Sequence, residues 1–170
     1  MRPASRTCAS WFTLSSKQIS AGTPGRATLK TERIARALLE RTLPKSEWTH
    51  EAHLRAGLWH VLRYPADEAL ARLRESILAH NVASGGVNSA SEGYHETVTR
   101  FYVCIIRSFV MSVDRERPVD ELALELVERL GDRKLPLRYY TAERLFSAAA
   151  RLAWVEPDLE ALPCGLEDTG

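Results

Sequence analysis

Histidine side chains concentrate in one short stretch of this sequence, from Ser46 to His60. This stretch contains His50, His53 and His60, three of the five histidines in the chain. On an α-helix, with about 100° between successive residues, these three side chains and Gly57 lie within an arc of about 80°. Imidazole can ligate a metal ion, transfer a proton or form hydrogen bonds, so this arc is the best candidate for a functional site.

The elements that must position these histidines are predicted to be helices. From Thr31 onward apolar residues recur at helical spacing, and no segment alternates as a strand would. The predicted N-caps are Ser46, Ser89 and Thr141, and Ser89 belongs to a capping box. Residues 134–140 are predicted to form an extended connection. The predicted helices span about 31–42, 46–64, 65–81, 89–113, 119–130 and 141–155.

The fold class that follows is all-α, a single compact helical bundle of about five to six helices. Between Phe101 and Val113 the fourth helix is apolar almost all the way round, so we expect it to be the buried central helix. We divide the chain into a disordered basic extension (1–27), an all-helical domain (28–162) and a C-terminal tail (163–170). The extension is rich in Ser, Thr and Arg and lacks acidic residues.

Charge is unevenly distributed along the chain. Residues 1–31 carry five basic and no acidic side chains, whereas the remainder carries 18 basic and 22 acidic ones, a net charge of −4. An acidic body without a basic stripe disfavours a nucleic-acid partner. The sequence also contains no run of about 18 apolar residues, so we expect no membrane partner.

Cysteine usage bears on the compartment. Cys8, Cys104 and Cys164 are odd in number, widely separated and free of any CxxC pair. This spacing disfavours a disulfide framework or a thiolate zinc site and favours a reducing compartment. The N-terminal segment also lacks the continuous apolar run of a secretory signal. We therefore expect a cytoplasmic protein.

Chain topology predicts which histidines meet. If the second and third helices form an antiparallel hairpin about Tyr64-Pro65, His80 returns to the end of the bundle that holds His50 and His53. The fourth helix begins at the same end, bringing Tyr94, His95 and Glu96 there. His60 lies about 15 Å along the helix from His50, so we interpret it as a packing residue.

Such a cluster suggests a divalent transition metal: zinc, nickel, manganese or iron. The predicted ligands are His50, His53 and His95, with Trp48 and Tyr94 as ligand-binding residues. The predicted catalytic residues are His80, as a fourth ligand or general base, and Glu51 and Glu96, as groups that orient the imidazoles. Two alternatives remain open, a metal-free polar pocket that binds a small molecule and a purely structural hydrogen-bond network.

Three segments together resemble a family of small bacterial proteins without an established activity. They are Trp48-Thr49-His50-Glu51-Ala52-His53-Leu54, Gly93-Tyr94-His95-Glu96-Thr97 and Val155-Glu156-Pro157-Asp158-Leu159. The resemblance covers residues 46–162 and implies that 1–27 is an appendage; it implies no catalytic assignment. As a helical bundle with histidines at one end, the chain is also similar to the DinB-like metal-binding proteins, although it lacks their histidine spacing.

These observations lead to two functional hypotheses. The first is a metal-dependent hydrolase or transferase that acts on a small substrate. The second is a non-catalytic module, binding a small molecule or another protein, whose histidines are structural. A small-molecule ligand is the expected partner, and homodimer formation is left open.

Overall fold

The structure, a computed structural model, describes residues 29–163. Seven α-helices make up most of this range. No strand occurs in that range, so the all-α class is confirmed. The predicted extension and all but the first residue of the predicted tail lie outside it. The helices are α1 (Leu29–Leu39), α2 (His50–Val61), α3 (Ala66–Ala83), α4 (Glu96–Ser112), α5 (Val119–Leu130), α6 (Ala142–Leu145) and α7 (Ala148–Leu152).

The centre of the bundle is shared by α2 and α4. Helix α4 packs against α2, α3 and α7 and buries Phe101 and Ile106, as its apolar composition predicts. Its other side, however, exposes Arg107 and Met111. Helix α2 contacts α1, α3, α4 and α5, and every residue from Leu54 to Val61 is buried. The most continuous burial therefore belongs to the histidine-bearing helix.

Two of the predicted N-caps are wrong, for local steric reasons. Ser46 lies inside a short 3-10 turn at Lys45–Glu47, and the cap of α2 is Thr49, whose Oγ1 accepts the N–H of Ala52 at 3.3 Å. Ser89 does accept the N–H of Glu92 at 3.1 Å, but no helix continues from this turn. The reason is Gly93, whose φ of 80° belongs to the left-handed region. Helix α4 consequently begins only after His95, which caps it.

The C-terminal region contains two short helices where the sequence pattern predicts one longer helix. Thr141 caps α6 as expected, but this helix ends after four residues, and Ser147 caps the separate helix α7 with a hydrogen bond from the Ala150 N–H at 3.1 Å. The connection at 134–140, before α6, is not extended as predicted, because Leu135–Arg138 forms a 3-10 turn. This region covers one side of α4 and places Leu145 and Phe146 near the start of α2.

A buried polar network joins α1, α2 and α5. The side chain of Asp120, at the start of α5, accepts the backbone N–H groups of Lys30 and Thr31 at 3.1 and 2.9 Å, so it caps α1 from a distant part of the sequence. Arg55 is 2% exposed and donates to Asp120 at 3.1 Å and to Glu51 at 2.8 Å. Nothing in the sequence pattern indicated this contact, which spans 65 residues.

The helices and Cys104 bear on the compartment of the protein. None of the described helices is both long enough and apolar enough to cross a membrane. Cys104 is buried in α4 and is disulfide-bonded, so the expectation of reduced cysteines is wrong for this residue. Cys8 and Cys164 lie outside the described residues. A cytoplasmic location stays a prediction.

Candidate functional site

A cavity of about 490 Å³ lies between α2, α3, α4 and the segment that carries Arg133, Leu137 and Phe146. Its volume falls within the range of small-molecule sites in proteins. Its apolar wall consists of Leu54, Leu73, Ile77, Val98, Val103 and Ile106. Its polar groups belong to Thr49, His50, His53, Thr99, Tyr102 and Arg133. The cavity is thus a largely apolar space with a few polar groups.

The cavity has a buried apolar floor and an open mouth. Leu54 and Ile106 are each 1% exposed and form its floor, whereas Phe146 is 65% exposed and, with the exposed Arg133, borders the mouth. Gly57 lines the wall between α2 and α4, where an added Cβ would lie 2.6 Å from the Cδ1 atom of Ile106. Glycine at this position therefore permits the close approach of the two helices.

His53 presents one ring nitrogen for hydrogen bonding at the mouth. Its ring stacks on Trp48 with 3.7 Å between centroids, and its Nδ1 donates to the carbonyl of Thr49 at 2.7 Å. In the neutral ring this bond leaves Nε2 as an acceptor. The His53 side chain is exposed to solvent on one side, but its ring packs closely against protein atoms, including those of Trp48. The resulting desolvation lowers the pKa of His53 to about 4. The ring is consequently neutral at pH 7.

His50 and Tyr102 face each other inside the same cavity. Their rings meet edge to face with 5.5 Å between centroids. The Nε2 of His50 and the hydroxyl of Tyr102 are both buried without a hydrogen-bond partner among the described residues. Burial and the charge of Arg133 lower the pKa of His50, and burial and Asp132 raise the pKa of Tyr102 to about 12. Both groups are therefore uncharged at pH 7.

His80 lies beside this site but does not line the cavity. As the hairpin argument predicts, the end of α3 returns to the start of α2, so that the His80 ring lies 5.6 Å from the Trp48 ring. His80 is 1% exposed, its Nδ1 has no partner among the described residues, and its Nε2 lies 3.4 Å from the Ser84 hydroxyl. Burial lowers its pKa. Its role as a catalytic base stays a prediction.

His95 lies outside the cavity, and both of its ring nitrogens are engaged. Its Nδ1 accepts the N–H of Val98 at 3.3 Å as the cap of α4, and its Nε2 donates to the carbonyl of Leu145 at 3.0 Å. An imidazole held in this way has no lone pair for a metal ion. Within residues 29–163, no group of three or more His, Cys, Asp or Glu side chains could hold such an ion. The structure therefore does not bring His50, His53 and His95 together as the ligand set that the sequence predicted.

The two predicted carboxylates pair elsewhere. Glu51 accepts hydrogen bonds from Lys30 and Arg55, each at 2.8 Å, and does not line the cavity. Glu96 forms a two-fold ion pair with Arg74 and accepts the Tyr94 hydroxyl at 2.8 Å. Burial opposes ionisation of Glu96, but the bonds from Arg74 and Tyr94 prevail and lower its pKa. Neither carboxylate is placed to orient His50 or His53.

Tyr94 and Glu96 border a second cavity of about 530 Å³ on the other side of α4. Thus the predicted site is divided: Trp48, His50 and His53 share the first cavity, and Tyr94 and Glu96 share the second. His60 belongs to neither; it is fully buried and donates from Nδ1 to the Ala56 carbonyl at 2.8 Å, as a packing residue would.

Two polar residues of the first cavity were missed by the sequence argument. Tyr102 lies in an apolar helix, a position typical of a core residue, and Arg133 follows α5 in a charged turn to which the sequence analysis assigned no role. Their helical and turn patterns are ordinary, so no local signal sets them apart. Only the packing of α4 and of residues 133–137 against the start of α2 brings them to the histidines.

Comparison of the chain with protein-family models, with curated proteins and with solved structures finds no match. The resemblance to small bacterial proteins therefore stays a prediction.

Proposed function

We propose that this protein binds a small, predominantly apolar molecule that carries a hydrogen-bonding group at one end. The observation that supports this most directly is the cavity, whose buried floor is apolar and whose lining also includes the uncharged polar side chains of His50, His53 and Tyr102. Removing the apolar body of a ligand from water would supply most of the binding free energy.

The polar groups define what the end of the ligand must offer. The Nε2 of His53 is an acceptor, and the Tyr102 hydroxyl is a donor without a partner among the described residues. A polar group on the ligand could accept from the Tyr102 hydroxyl, and a group that also carries a donor could bond to the His53 Nε2. A bond to Tyr102 would compensate for the burial of its hydroxyl, which is costly to leave unpaired.

Of the two functional hypotheses, this proposal follows the binding module. The metal-dependent hydrolase or transferase stays a prediction. It has less support than the binding module, because Glu51, Glu96 and His95 bond to partners outside the first cavity.

A bulky residue in the cavity wall should abolish binding. Val98 is half-buried and lines the cavity, so Val98→Trp is expected to fill it with little disturbance of the core. We expect the neutral fluorescent probe N-phenyl-1-naphthylamine to bind the unmodified protein and to bind the variant at least tenfold more weakly. The measurement is a fluorescence titration of the probe.

The matched control is Met111→Trp, on the same helix but 77% exposed and outside the cavity. It adds the same indole and should leave the affinity for the probe unchanged. Equal affinity of the probe for both variants, with circular dichroism showing that both are folded, would refute the proposal.

A further inference from the structure

The mouth of the cavity carries one guanidinium group whose charge no described residue neutralises by contact. Arg133 is exposed, lines the cavity and forms no ion pair or hydrogen bond with a described residue. Most other arginines near the bundle core are paired, as Arg55 is with Asp120 and Arg74 with Glu96. Arg133 is therefore available to a ligand.

The charge of Arg133 acts on the site. It lowers the pKa of both His50 and His53, which line the same cavity. Asp132, the nearest acid in sequence, opposes this effect at His50, but its influence there is the smaller of the two. One Asp132 oxygen also accepts the N–H of Lys134 at 2.9 Å. The polar end of the cavity consequently presents an excess of positive potential to a ligand.

Of the remaining groups at this end, the Tyr102 hydroxyl and the Nε2 of neutral His50, in its Nε2–H tautomer, can donate to an anion, whereas the acceptor Nε2 of the exposed His53 is left to water. The Tyr102 hydroxyl is a donor, since its raised pKa keeps it protonated. Among the described residues no carboxylate lines the cavity, so a ligand ammonium group would meet Arg133 with no described acid to offset the repulsion. Guanidinium binds carboxylate through two parallel N–H donors, a geometry that an exposed and unpaired side chain can adopt.

We infer that the natural ligand is an amphipathic monocarboxylate, with its carboxylate on Arg133 at the mouth and its hydrocarbon body on the apolar floor formed by Leu54 and Ile106. The inference rests on the proposed function, because it names the chemical class of the molecule that the cavity binds. Arg133 would then determine specificity, because it contacts the head group of the ligand at the mouth, away from the apolar floor.

Three eight-carbon probes that differ only in the head group test this inference. Octanoate, 1-octanol and octylammonium compete with N-phenyl-1-naphthylamine for the cavity, and their dissociation constants are obtained from displacement at low and high salt. We expect octanoate to bind about three- to tenfold more tightly than octanol, and octylammonium to bind more weakly than either. The preference for octanoate should shrink at about 0.5 M NaCl, because salt screens an exposed ion pair.

Substitution of the arginine identifies the responsible group. Arg133→Gln should remove the preference for octanoate and leave the affinity for octanol unchanged. Lys134→Gln is the matched control, since it removes an adjacent exposed cation that does not line the cavity. It should preserve the preference.

Failure of the inference and failure of the proposed function give different results. If octanol displaces the probe but octanoate shows no advantage, or if Arg133→Gln retains that advantage, the inference is overturned while the proposed function stands. If the probe itself does not bind, both are overturned. A tighter displacement by octylammonium than by octanoate would also overturn the inference.

Discussion

Replacement of Asp120 by alanine is expected to lower the free energy of unfolding by about 3 kcal/mol or more. The substitution leaves the Arg55 guanidinium, which is 2% exposed, without its buried counter-ion. It also removes the acceptor of the Lys30 and Thr31 N–H groups at the start of α1. Glu51 still pairs with Arg55 at 2.8 Å from the partly exposed side and limits the loss. Urea denaturation followed by circular dichroism measures the change.

Glu121→Ala is the matched control for this prediction. Glu121 is the next residue in α5, its side chain is 58% exposed, and its ion pair with Arg117 is loose at 3.9 Å. Its loss should cost less than about 1 kcal/mol. The double variant Arg55→Met with Asp120→Leu should regain part of the stability, because it removes both buried charges but does not restore the acceptor for the N–H groups of Lys30 and Thr31. If Asp120→Ala is as stable as Glu121→Ala, the network does not hold α1 to α5.

The second large effect is a loss of stability in mild acid. The pKa values of all five histidines are lowered in the folded protein, in each case with burial as the largest cause. Below the unfolded-state pKa of about 6.5 the unfolded chain binds more protons than the folded one, so falling pH favours unfolding. The fully buried His60 and His80 should each contribute a loss of up to about 1.4 kcal/mol per pH unit below that value.

The measurement is the free energy of unfolding in urea between pH 7.5 and 5.5. This window lies above the ordinary pKa of glutamate, so that Glu51 and Glu96, whose pKa values are also lowered, add a loss of the same sign only in stronger acid. His60→Gln and His80→Gln should each flatten the pH dependence by about 1 kcal/mol across the window. A pH-independent stability of the unmodified protein would contradict the lowered pKa values.

The division of the predicted site shows where sequence reasoning was sufficient. His50 and His53 lie on the predicted face of α2, and the hairpin of α2 and α3 returns His80 to them. Both results depend on helical periodicity and on one short connection, which are local properties. His95 was assigned to the same site on topology alone. Its ring orientation depends on the Leu145 carbonyl, 50 residues away, which no local pattern encodes.

The N-cap positions were also predicted only approximately from the sequence. The sequence contains plausible caps at Ser46 and Ser89, but the observed caps are Thr49 and His95. The 3-10 turn at Lys45–Glu47 displaces the first, and the left-handed conformation at Gly93 displaces the second. A capping motif predicts that a helix starts nearby, and the turn geometry decides at which residue it starts.

By itself, the sequence determined the all-α class, the approximate helix positions and the placement of His50, His53 and Gly57 on one face, because each follows from spacing within about a dozen residues. The tertiary structure alone decided that this face borders a cavity, that Tyr102 and Arg133 complete its polar end, and that His95 and Glu96 belong elsewhere. Those outcomes depend on which helices pack together, and the contacts that select the packing join residues far apart in the chain.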